Sequence, residues 1–174
     1  MQSITPIREK LERAQTEFFR AADAIASESW NFKSRPDIWS ACELVTHLVV
    51  VERGILSKAD RIAQKTPNET PFLQKFHLPL WIVEARIVKR KSPVPLDESL
   101  MAGKEEMLAT LRAARERTLS FIAETEKRDL SAYRWKHPFL GMLNTYEWFE
   151  MIAAHQLRHT KQMREIEAQL SRKL

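Results

Sequence analysis

A chain of 174 residues with 44 % hydrophobic and 29 % charged side chains buries a core without disulfides or structural metals, so any metal it binds is expected to serve function rather than folding. One cysteine, Cys42, excludes an internal disulfide, MQSITPIREKLERAQ lacks the apolar run of a secretory signal, and the apolar stretch near Leu44 is broken by Thr46, His47, Glu52 and Arg53; a cytoplasmic protein with no membrane span is expected. The net charge of +5 is scattered among acids, as in LRAARERTL and IREKLERAQ, which alternate sign as solvated helix faces do, and VKRKSP (88–93) is the one local basic cluster, so the pattern argues against nucleic acid as a partner.

Thr5-Pro6 puts a capping hydroxyl before a proline in the first helical turn, and Ile7, Leu11, Ala14, Phe18, Ala21, Ala22 and Ile25 recur at helical spacing, predicting a first helix over 5–28. SWNFKSRPDIW reads as a loop. Ser40-Ala-Cys-Glu43 has the spacing of a capping box, and Ala41, Leu44, Val45, Leu48, Val51, Ile55, Ala59 and Ile62 define a second helix over 40–65, with His47 inside its stripe. A connection from 66 to 96 follows, bracketed by prolines, with a short helix expected in LPLWIVEARIVKR; connections this long tend to cover something or carry function. Asp97 is expected to open a third long helix reaching about 127. RDLSAYRWKHPFLGML reads as a loop, and Asn144-Thr-Tyr-Glu147 caps a fourth helix continuing to about 171. Three glycines and almost no strand signal predict an all-α fold, a four-helix bundle in a single domain over 1–174.

The inward face of the fourth helix runs Trp148, Ile152, His155, His159, Gln162 and Ile166. Both histidines stand where a plain bundle carries leucine. Four residues are a little over one turn, so the two rings lie on one face about 6 Å apart at the backbone, the helical form of a bidentate metal ligand. The pair alone decides little, because HxxxH lacks the glutamate of a HExxH metalloprotease. His47, flanked by Leu44 and Val51, points inward from another helix, and three buried rings without partners would each cost about 1 to 3 kcal/mol. A shared metal ion is one way to satisfy all three. His77, beside Pro79, and His137, before Pro138, read as structural or exposed; Cys42 lies about 140° round the helix from His47, off the metal shell.

Two segments together, WSACELVTHLVVVE (39–52) and HPFLGMLNTYEWFEMIAAHQLRHTKQM (137–163), resemble the DinB-like superfamily of metalloenzymes. The specific part is the lead HPxxGxLxxxEW into HxxRHxxQ, and the similarity spans essentially the whole chain. The resemblance implies up-down-down-up topology with a long connection between helices two and three, often a homodimer. It implies a divalent metal, zinc, nickel or iron, held by one histidine of helix two and two of helix four, which match His47, His155 and His159. Relatives include thiol-dependent transferases and isomerases, so a low-molecular-weight thiol enters as a cofactor.

Three neutral imidazoles leave an ion its full charge and an open position, the arrangement of a catalytic site, where a water's pKa falls to about 7 or a thiol is held as thiolate. The expected function is a metal-dependent enzyme acting on a small-molecule substrate, either a thiol-dependent S-transferase or isomerase or a hydrolase. The alternative is a non-catalytic metal-binding stress-response protein that uses the bundle as a dimer scaffold. Glu43 and Gln162 are candidate orienting partners, Arg158 a candidate for an anionic substrate, and no residue stands out as a general base. Three imidazoles suit zinc, nickel, copper and iron alike.

Overall fold

The computed structural model describes residues 4–67, 77–85 and 94–172. The VKRKSP cluster and much of the 66–96 connection lie outside the described residues. Among the described residues the chain is mostly helical: α1 (Thr5–Asp23), α2 (Ala41–Ala63), a short α3 (Trp81–Ala85), α4 (Lys104–Glu124) and α5 (Thr145–Ser171), with one two-stranded antiparallel sheet, β1 (Arg134–His137) and β2 (Gly141–Asn144). No helix of the described residues is long and apolar enough to cross a membrane.

Local chemistry sets the helix starts that matter for the site. At α2, Glu43 N donates to Ser40 Oγ (3.2 Å) and Ser40 N to Glu43 Oε2 (2.7 Å), a complete capping box. At α5, Glu147 N donates to Asn144 Oδ1 (2.9 Å) and Asn144 N to Glu147 Oε2 (2.7 Å). α1 starts at Thr5 as expected but departs from expectation in its cap and at its far end. Ile4 is its N-cap with no side-chain cap bond, Thr5 being already helical, and the helix stops at Asp23 rather than 28. Lys104 Nζ explains part of the stop, because it donates to Asp23 O (3.3 Å) and Ile25 O (2.7 Å) and so satisfies carbonyls that a longer helix would use internally. The third long helix begins at Lys104, not at Asp97. Asp97 caps only a 3-10 turn over Glu98–Leu100, accepting from Ser99 N, and extended backbone at Met101 and Gly103 separates that turn from α4.

The segment expected to be loop before α5 carries the hairpin. Arg134 pairs with Asn144 and His137 with Gly141, closed by a three-residue turn in which Gly141 takes φ 102°, a left-handed conformation that glycine adopts without a Cβ clash. Its strands are only four residues long and contain no clean apolar alternation, which is why periodicity gave no strand signal. His77 bridges Gly141, and Leu78 N donates to Leu140 O (2.9 Å), so the chain entering α3 is stitched to the hairpin.

Apolar side chains gather in two clusters. One contains Leu11, Ile55, Phe121, Phe149 and Ile152; the other contains Phe18, Leu44, Leu48, Leu111 and Met163. Each long helix contributes to both. The four long helices also share a buried polar junction: Arg115 Nε and Nη2 donate to the Glu52 carboxylate (2.7 and 3.0 Å), Nη2 also to Gln156 Oε1 (2.9 Å), and Nη1 to Leu11 O. Arg115 belongs to LRAARERTL, read from its alternating charges as a solvated face, yet it is 2 % exposed. The reason is register: Arg115 sits one turn after Leu111 on the same stripe, and only a buried partner on α2 makes that position tolerable.

Candidate metal centre

The capping box at Ser40 fixes the register of α2, putting His47 two turns in on the face shared with buried Leu44. That of Asn144 fixes α5, and His155 and His159 follow one turn apart. The three rings converge. His155 Nε2 lies 3.2 Å from His47 Nε2 and 3.0 Å from His159 Nε2, and a ligand nitrogen from each ring falls within 4.8 Å of the others. His47 and His159 are buried and His155 is partly exposed, so the group opens on the side of His155.

The donor set fits a metal ion better than a hydrogen-bonded core. A single proton on His155 Nε2 serves both close contacts at best, and that leaves His47 and His159 protonated at Nδ1. Both of those Nδ1 atoms are buried with no hydrogen-bond partner. Coordination through Nε2 keeps the same Nδ1 protons, so these two donors do not separate an ion from a hydrogen-bonded core; the shortage of protons among three facing Nε2 atoms does. An ion taking all three Nε2 lone pairs removes the crowding of nitrogens at the centre.

Electrostatics favours neutral rings, the form in which imidazole is a ligand. Burial lowers the His47 pKa to about 4. Burial also lowers His155 to about 3, helped by His47, Arg158 and His137, and holds His159 well below its ordinary value, helped by its two partners and Arg158. The group is all imidazole, with no carboxylate among its three members.

Of the other residues singled out from sequence, Glu43 is engaged elsewhere: one carboxylate oxygen closes the capping box and the other pairs with Lys33 (2.9 Å). Gln162 lies one turn beyond His159, its Oε1 buried without a partner, beside a cavity of about 40 Å³ that also touches Trp39 and Gln169. Arg158 Nη1 donates to Val83 O (3.2 Å), and Lys161 Nζ to Glu84 O (2.8 Å), so α5 satisfies carbonyls of α3 and carries it beside the histidines. Cys42 Sγ contacts Ala102 O (3.6 Å) and takes no part in the group. His77 pairs with Glu147 (3.2 Å) near the start of α5.

Trp39 was not singled out from the sequence, and His137, read as structural or exposed, lies nearer the centre than that reading placed it. Trp39 packs over His47 (ring centroids 4.9 Å apart) and stacks on His159 (6.2 Å, interplanar angle 19°), forming an aromatic wall. His137, at the end of β1, lies against Trp148 (5.1 Å) and close enough to His155 to lower its pKa. The HP pair in the hairpin motif was the available signal for it, but its spatial position depends on a hairpin that periodicity did not reveal.

A helical chain whose second and last long helices join one and two histidines in a single group is the pattern that the sequence resemblance implied. The DinB superfamily matches this chain over residues 10–163, and the chain belongs to that family. It is 26 % identical over 161 residues to an uncharacterised protein, YuaE, of Bacillus subtilis (strain 168), an alignment covering 91 % of this chain and 96 % of that one. No solved structure matches the chain at comparable significance.

Proposed function

We propose that the chain is a metal-dependent enzyme of one domain whose divalent ion is held by Nε2 of His47, His155 and His159. The observation that carries this is the convergence of three neutral imidazoles, with His155 Nε2 at 3.2 and 3.0 Å from the Nε2 atoms of His47 and His159. An ion bound by three imidazoles supplies Lewis acidity at an open position, enough to make a thiol or water nucleophilic near neutral pH. The chain's own residues do the rest. Trp39 shields one side, Arg158 adds positive field that favours an anionic reactant, and Gln162 Oε1, unpartnered one turn from His159, is placed where a small side-chain shift would let it accept from His159 Nδ1–H and hold the ring's tautomer. The reaction is activation of a thiol, or of water, toward a small electrophile.

The bundle in this reading runs up-down-down-up. Lys10 pairs with Glu150 and Glu17 with Arg164, so contacts advance in the same direction along α1 and α5, while α2 and α4 both pass from the Leu44 cluster to the Phe121 cluster; these orders support it. A second reading, a metal-binding protein without catalysis, draws support from the cavity beside Trp39 and Gln162, whose 40 Å³ suits water better than substrate.

Metal analysis of protein purified without a nickel column tests the centre. Stoichiometric metal in the wild type and none in the triple His→Ala variant is the expected result; equal metal in both, or none in either, rejects it. Assays of loaded protein with several thiols and a generic electrophile then separate the two readings.

A further inference from the structure

We propose that His137 is a substrate-binding residue of this centre, its Nε2–H serving as a fixed donor to the carboxylate of the molecule that occupies the open side. The proposal rests on the metal-centre reading above.

The ring is set in one tautomer by the hairpin turn. His137 Nδ1 accepts two backbone N–H groups, from Phe139 and Leu140, both at 3.1 Å. A nitrogen that accepts carries no proton, so the neutral ring bears its proton on Nε2. No described residue accepts from that nitrogen. The turn needs only one acceptor atom at this position, and an asparagine oxygen would serve; the second nitrogen of an imidazole is surplus to the turn.

Position makes the surplus donor relevant. The ring is held at 5.1 Å against Trp148 and at 6.1 Å against Phe139. Trp148 itself is fixed, stacked on Trp135 (4.8 Å, 9°) with its Nε1 donating to Trp135 O (3.2 Å). It lies two turns before His155 on the same face of α5, so the His137 ring packed against it sits on the histidine side of that helix. His155 is also the member of the trio that reaches the exposed side. The chemistry of the surroundings selects an anionic oxygen. The histidine group contains no carboxylate to offset a divalent cation, and the guanidinium of Arg158, anchored at Val83 O, reinforces positive potential at His155 and His159. Burial lowers the His137 pKa to about 4, which keeps the ring an uncharged donor at neutral pH. A carboxylate is the group that such a positive field and a neutral N–H donor would both attract.

The test uses full-length protein loaded with cobalt or zinc, and acetate as the probe. Asparagine at 137 keeps an acceptor for the two turn N–H groups, and its shorter side chain withdraws the donor from the position that Nε2–H occupies. Cobalt absorption titrated with acetate should give an affinity about tenfold weaker in His137→Asn, with cobalt affinity and melting temperature unchanged. In the zinc form, the His137 Nε2–H resonance should shift as acetate is added. Equal acetate affinity in both proteins, or no acetate binding by cobalt-loaded wild type, overturns the role of His137 while leaving the metal centre standing. Failure of the wild type to take up either metal rejects the metal centre, and the proposal with it.

Discussion

An imidazole in the interior stays neutral because charging it there means stripping an ion of water. Unfolded, His47 takes up a proton below about pH 6.5; folded, only below about pH 4. Between those values the unfolded chain binds more protons, so stability rises with pH and is lost on acidification. Metal-free protein should therefore lose on the order of 3 kcal/mol from His47 alone between pH 7 and pH 4, with the loss levelling off below. Urea unfolding across that range measures it, and His47→Phe should flatten the slope; an unchanged slope would contradict the neutral buried ring. Gln162 offers a second residue-scale prediction. Gln162→Leu should weaken metal binding about 10- to 100-fold, read by competition with a chelator, while leaving helix content intact. The gathering of His47, His155 and His159 was legible in the sequence because inward facing and one-turn spacing are local properties of a helix. Trp39 was not, because it stands outside the long helices and only the tertiary path of its loop brings it in; the turn-holding role of His137 agrees with its structural reading, but its nearness to the trio depends on the hairpin.

At the scale of elements, the capping boxes at Ser40 and Asn144 were readable since each is completed within four residues. The C-terminal end of α1 and the start of α4 were not readable, because Lys104 joins them across 81 positions of sequence through Asp23 O. The hairpin is the element most dependent on one unusual backbone angle. Gly141→Ala forces a Cβ into the left-handed region at φ 102° and should cost about 1 to 2 kcal/mol. Calorimetry checks that loss. The same variant should disturb the His137 ring, whose two N–H partners sit in this turn, and an unchanged His137 resonance would show that the turn tolerates the side chain.

For the whole molecule, one guanidinium touches all four long helices. Arg115 on α4 meets Glu52 on α2, Gln156 on α5 and the Leu11 carbonyl on α1. Removing it strands a buried carboxylate, so Arg115→Met should destabilise by about 3 to 5 kcal/mol, whereas Arg115→Met with Glu52→Leu should recover most of that loss. Denaturant midpoints of the two variants decide the matter; equal destabilisation would mean that packing volume, not charge pairing, is what Arg115 supplies. The helical class and its four long segments were evident from apolar periodicity, yet this junction was invisible to it, since a charge at an inward position looks like surface until its partner is found on another helix.

Trp39 gives the centre a built-in optical reporter. An indole packed against two of the three imidazoles lies within collisional range of whatever ion they hold, and open-shell ions such as nickel or copper drain an excited indole where zinc does not. Of the five tryptophans it is the one in ring contact with the histidine trio. Emission lost on nickel addition, retained with zinc, and insensitive to nickel in Trp39→Phe would let metal occupancy be followed in real time by light alone.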